Sequence, residues 1–205
     1  MLQTLNSLFS QARDNAASFC RNRRGVAAVE FALVAPVLMA LYFVTMEVSQ
    51  GIESNKKVSR AAAMIGDLVA QEQGVNKDDL AKIMQIGQAI IYPYNRTNPS
   101  IEITGIQISN ENNPKATVAW SRKMVNNSVS PGLAKKATVT VPDKLKLRDT
   151  FLIQVTTSLD YRPLITLAAD AKTSMGLTAS FDSIQMSETY FLRPRTSNTI
   201  DCSDC

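Results

Sequence analysis

The chain has 205 residues, enough for one ordinary domain plus an anchoring segment and too few for two full cores. Hydrophobic residues make up 45% and charged ones 20%, with only 8 Gly and 8 Pro, which excludes disordered or low-complexity material. The net charge of +4 is concentrated at one end: Arg13, Arg21, Arg23 and Arg24 against Asp14 give residues 1 to 25 a net +3, leaving +1 for the rest and no basic patch for a nucleic acid.

In the basic segment, Leu2, Leu5, Phe9, Ala12, Ala16 and Phe19 recur at spacings of three and four, one face of a helix. That stripe fits a helix on the inner face of a membrane, a docking surface, or a leader with no further role. From Val26 to Met46 the chain then reads VAAVEFALVAPVLMALYFVTM, with Glu30 as its one group charged at neutral pH. About 20 apolar residues cover a hydrocarbon core of roughly 30 Å, and Pro36 is tolerable in a membrane helix. The span is read as residues 26–48, against a buried helix of a soluble protein. Arg21, Arg23 and Arg24 precede it, whereas Glu47 and Glu53 follow before the first lysine, Lys56. The positive-inside rule puts the N-terminus in the cytoplasm and residues 50–205 outside. A cleaved secretory signal fits poorly, because its apolar core is only ~7 to 15 residues and the nearest cleavage-like site here is Ser49-Gln50-Gly51.

Glu30 is costly where it stands, and an acid near the end of a membrane helix needs a partner or a role. Cutting after Gly25 would free an α-amino group on Val26, which a neighbouring anchor's Glu30 would neutralise in low dielectric. Alternatively Glu30 snorkels to the headgroups and pairs with Arg24 or water.

Beyond the span, Val58, Ala62, Ile65 and Val69 keep a helical period, predicting an amphipathic stalk that ends near Gly74. A second helix is predicted from Asn76 as cap, with Asp78 and Asp79 at its positive end and Leu80, Ile83, Met84, Gly87 and Ile91 on one face; Pro93 stops it. Strands follow. Ile101 and Ile103 alternate, Gly105 shifts the phase, and Ile106 and Ile108 resume it, which suggests a bulge. Asn110 to Pro114 reads as a turn; Ala116, Val118 and Trp120 are expected to share one face; Asn126 to Gly132 reads as a loop; Val139 and Val141 mark a short strand before Pro142. Phe151 to Tyr161 alternates most clearly, and a last strand or pair is expected over Leu177 to Tyr190. The fold class expected is α+β: an N-terminal transmembrane helix continuing into an amphipathic stalk, then a periplasmic head with a helix packed on an antiparallel sheet. The segments are 1–25 (cytoplasmic leader), 26–48 (span), 49–94 (stalk and second helix), 95–195 (β-rich head) and 196–205 (C-terminal tail).

Cys20 precedes the span, while Cys202 and Cys205 form C-S-D-C. A disulfide is the simplest reading in an oxidising compartment, against a redox C-x-x-C or zinc, which wants about four ligands. Asp67, Asp78 and Asp79 lack the spacing of a calcium loop. The chain has no histidine, which removes the commonest general base and metal ligand and the Ser/His/Asp and Cys/His arrangements. No cofactor or metal is expected, and the chain reads as a non-enzyme.

R-R-G-V-A-A-V-E-F-A-L-V-A-P-V-L, and with it Arg23 to Gln50, resembles the N-terminus of the TadE/TadG-like pseudopilins of the tight-adherence (Flp) pilus. The resemblance implies removal of the leader between Gly25 and Val26 by an aspartic prepilin peptidase, with Glu30 and Phe31 as the family's Glu-aromatic pair. Pro36 and Glu47 also match the family pattern. Tyr92-Pro93-Tyr94, Tyr161-Arg162-Pro163-Leu164 and Arg193-Pro194-Arg195 resemble features of these ectodomains more loosely. A length of 205 residues favours the TadE-like over the TadG-like side. The function implied is that of a minor pseudopilin in assembly of a pilus for surface attachment, anchored in the bacterial inner membrane and meeting the prepilin peptidase, other pilins or pseudopilins and the assembly machinery. The alternatives are a signal-anchored periplasmic receptor or adhesin outside any filament, and a membrane-bound enzyme acting through Cys202 and Cys205.

Overall fold

The computed structural model describes residues 25–93, 97–163 and 183–205. The expectations on the leader stripe, Cys20, Arg21, Arg23, Arg24, Tyr94, Leu164 and the stretch from Leu177 to 182 lie outside the described residues. Two compact units divide at Met46 and Glu47.

Helix α1, Val26–Gln71, contributes to both. In the first unit its large apolar side chains are all exposed, and its most apolar eighteen residues are wholly unburied. A continuous surface of Val, Leu, Phe and Met is not stable in water, and this helix is long and apolar enough to cross a membrane. Pro36 lies inside it.

In the second unit the character of α1 changes. Ser54, Val58, Ala61, Ala62, Ile65, Gly66, Val69 and Ala70 are buried, the stripe expected from the helical period. Strand β1 (Gly74–Val75) and helix α2 (Lys77–Ile91) follow. Asn76 Oδ1 accepts the Asp79 backbone N–H at 2.9 Å, satisfying one of the orphan donors of the first turn. Leu80, Ile83, Met84, Gly87 and Ile91 form the buried face as read from the spacing.

The sheet comprises β2 (Ser100–Ile108), β3 (Ala116–Val125), β4 (Ser128–Pro131), β5 (Phe151–Tyr161) and β6 (Ile184–Leu192) in the order β4-β3-β2-β5-β6, each pair antiparallel. One face packs on the helices: Ile101, Ile103, Trp120, Met124, Ile153 and Val155 meet Ile65, Val69, Leu80 and Met84. Leu159, Tyr161 and Met186 meet Val58, Ala61 and Ile91 in an adjoining cluster. The chain is therefore an α+β protein with helices laid on an antiparallel sheet.

Three details depart from the sequence reading. First, the register shift falls at Gly105, but the unpaired residue is Ala119 on β3, because Gly105 faces Trp120 and Ile106 faces Val118. β2 alternates straight through, so Ile106 and Ile108 turn to the far face and form a second core with Ala116, Val141 and Leu152. Ala116 and Val118 consequently lie on the opposite face from Trp120. Second, Asn126 to Gly132 is not simply a loop. Asn126 and Asn127 adopt φ of 50° and 63°, the two-residue turn that matches strand twist, and β4 returns along β3. Third, Val139 and Val141 form no strand; only an isolated Thr117–Thr138 bridge joins them to β3, although Val141 is buried.

The tail residues are also built into the unit. Arg195 N–H donates to Ala70 O at 2.8 Å and Thr196 Oγ1 to Gln71 O at 2.7 Å, taking up carbonyls that end α1. Arg195 also pairs with Asp67. Ile200 is fully buried and its carbonyl accepts the Trp120 indole N–H at 2.7 Å. Strand β7 (Asp201–Cys202) then pairs parallel with β1, and Asp204 Oδ1 accepts the Lys77 N–H, the first amide of α2, at 2.8 Å.

Candidate functional site

Gly25 stands immediately before the first residue of α1, Val26, and no atom lies within 4 Å of where its Cβ would be. Glu30 lies one turn into the helix, past the free amides of the first turn, and is exposed. Phe31 is 71% exposed and Val26 48%. On the helical period Glu30, Leu33, Val34, Val37 and Leu41 share one face, so the carboxylate heads an otherwise apolar stripe. An acid in that setting has two ways to lower its energy: a cation from outside its own helix, or headgroup water.

Where α1 enters the second unit, Tyr161 Oη donates to Glu47 Oε1 at 2.6 Å, and the Tyr161 ring edge lies 3.8 Å from where a Gly51 Cβ would stand. That is ordinary van der Waals distance, so the strand end packs directly against this turn of the helix. Ser59 and Tyr190 hydroxyls, 2.8 Å apart, and Lys57 Nζ to Tyr92 O at 2.7 Å continue the contacts along α1. Glu47 thus has a structural task in the second unit. Tyr161→Phe is expected to cost about 1.5–3 kcal/mol, the worth of a hydrogen bond to a charged acceptor, read as a lower urea midpoint with unchanged m-value.

Cys202 and Cys205 are joined as a disulfide, with Cα atoms 5.5 Å apart. Cys202 sits on β7, not at a helix N-terminus. Asp204 lies beside both sulfurs, but its carboxylate is engaged by Lys77 N–H. The pairing therefore closes a tight loop that aims Asp204 at the start of α2. Sequence reasoning did not find this capping role, because donor and acceptor lie 127 residues apart. Of the residues singled out from sequence, Gly25, Val26, Glu30 and Phe31 fall together on one short stretch, and Cys202 and Cys205 fall within the second unit.

An exposed apolar helix that begins just after a glycine and leads into an α+β unit defines the class of a protein with, among the described residues, one helix long and apolar enough to cross a membrane. Within that class, residues 25–66 match the TadE family model, described as TadE-like protein. The match starts at the glycine, takes in Glu30, Phe31, Pro36 and Glu47, and ends within α1. No curated protein and no solved structure matches the chain. The TadE-like region and the apolar helix fit a membrane protein associated with the tight-adherence pilus, a structural and not a typically enzymatic family.

Proposed function

We propose that this chain is a TadE-like minor pseudopilin, processed by a prepilin peptidase between Gly25 and Val26 and then held in the inner membrane by residues 26–48. Hydrolysis of that peptide bond consumes one water, leaves a carboxylate on Gly25 and gives Val26 a free ammonium group. The arginines at 21, 23 and 24 keep the leader cytoplasmic, and the second unit lies in the periplasm. Glu30, fifth from the new terminus, pairs with the Val26 ammonium of a neighbouring pilin or pseudopilin. That pairing fixes the axial register between helices, because in low dielectric an unpaired carboxylate or amine is penalised in every other register. Phe31 packs beside it in the apolar seam. The subunit takes part in assembling a pilus for surface attachment, and chemistry is done to it, not by it.

The observation that carries this reading is the coincidence of Gly25 with the start of an exposed apolar helix inside the TadE-like match, with Glu30 and Phe31 at positions five and six. The test is the N-terminal residue of the protein recovered from membranes of a competent cell. A start at Val26 is expected, lost in Gly25→Ala; Glu30→Ala is expected to be anchored but to fail in pilus assembly. A wild-type chain that keeps Gly25, or a Glu30→Ala chain that assembles normally, overturns it and points to a signal-anchored receptor or adhesin instead.

A further inference from the structure

Among the described residues Arg122 is the only charged side chain that is buried, at 7% exposure. It lies on β3 between Trp120 and Met124, on the face turned to the helices, opposite Ile103 of β2 and Pro131 of β4. Its Nε is sealed from solvent with no hydrogen-bond partner, and no ion pair among the described residues engages it. The neighbouring Lys123 belongs to the other face, where it stands opposite Glu102. Arg122 thus carries a positive charge on this face with a sealed, unpartnered Nε and no counter-charge among the described residues. Nothing in the membrane helix or its processing uses it.

We propose that Arg122 is the receiving group of a carboxylate-binding site at the β4 edge of the head. The route is short: β4 is an edge strand of four residues, and Pro131, the residue beside Arg122, is exposed. Only that strand separates Arg122 from the open side of the sheet. The charge count selects the ligand. One guanidinium beside Trp120, Met124, Ile103 and Pro131 is neutralised by one monoanion, and a dianion would leave a net negative charge there. The planar fork of donors on arginine matches the two oxygens of a carboxylate. The carboxylate comes either from an acidic side chain of a partner protein or from a free organic acid. The site is independent of how the N-terminal helix is processed.

The test is thermal unfolding of the full chain in a neutral detergent, compared in sodium acetate, sodium chloride and sodium phosphate at matched ionic strength. Acetate is expected to raise the midpoint of the wild type above that in chloride, while phosphate, which is excluded from protein surfaces generally, is expected to raise wild type and Arg122→Met alike. The acetate effect is expected to vanish in Arg122→Met, whose own midpoint in chloride rises by about 2–8 °C because the unpaired charge is gone. Arg122→Lys keeps the charge without the fork and is expected to show a smaller acetate effect. Saturation at millimolar acetate identifies a free acid as the ligand. A shift still growing at molar acetate identifies a protein-borne carboxylate, which meets Arg122 at a high local concentration. Equal midpoints in acetate and chloride, or an Arg122→Met chain that melts below the wild type or does not fold, overturn the proposal.

Discussion

Replacing Gly105 with valine is expected to destabilise the head by about 3 kcal/mol, at the upper end of the usual cost of overpacking a core. A Cβ at this position would stand 2.5 Å from Trp120 Cε2, 2.6 Å from its Nε1 and 2.8 Å from Phe151 Cζ. All three atoms belong to rigid rings. Trp120 is nearly buried and tied through Nε1 to Ile200 O, while Phe151 is 3% exposed, so neither ring can step aside alone. Valine is a better strand former than glycine, and propensity by itself would give the opposite sign. The measurement is urea unfolding followed by fluorescence, for which Trp120 is the only tryptophan. The variant is expected to show a lower midpoint and an altered native emission as the indole loses its carbonyl partner. A wild-type midpoint would mean the rings have room that their positions do not suggest.

The second large effect is expected at Ile200→Ala, a loss of about 3 kcal/mol from the removed apolar surface and the cavity left behind. Ile200 is fully buried in the main core, and its carbonyl holds the Trp120 indole. It anchors the segment that completes the ends of two helices, through Arg195 on Ala70, Thr196 on Gln71 and Asp204 on Lys77. Amide exchange separates loss of this anchor from general weakening. The Ser203 N–H, bonded to Val75 O at 3.1 Å, is expected to exchange much faster, while central β2 and β5 amides keep most of their protection. Equal acceleration across the sheet would show that the segment does not open separately.

Much of this architecture is legible in the amino-acid order wherever one face is buried and the other wet. The stripe Val58, Ala62, Ile65, Val69, the cap at Asn76 and the alternation from Phe151 to Tyr161 all lie in such elements. The misread details have a common cause. β4 is short, polar and held by backbone pairing at the sheet edge, and β1 with β7 has two residues per strand, so neither leaves a periodic signal. At Gly105 the sheet carries apolar residues on both faces, and the pattern alone does not tell which strand holds the extra residue. The Gly25, Glu30 and Phe31 set is legible because its members are neighbours along one helix. Glu47 with Tyr161 and Trp120 with Ile200 are not, being 114 and 80 residues apart.

The pairing of β1 with β7 has a consequence for biogenesis. Gly74 aligns with Asp201 and Val75 with Cys202, so this contact spans most of the second unit's sequence. Loop closure over such a separation is slow relative to hairpins like β3–β4. Until residues near 200 have been made, the carbonyls ending α1 and the Trp120 indole lack the partners they have in the finished fold. During synthesis the second unit is therefore open to proteases longest at this seam, and a ribosome paused before residue 200 would leave it unclosed.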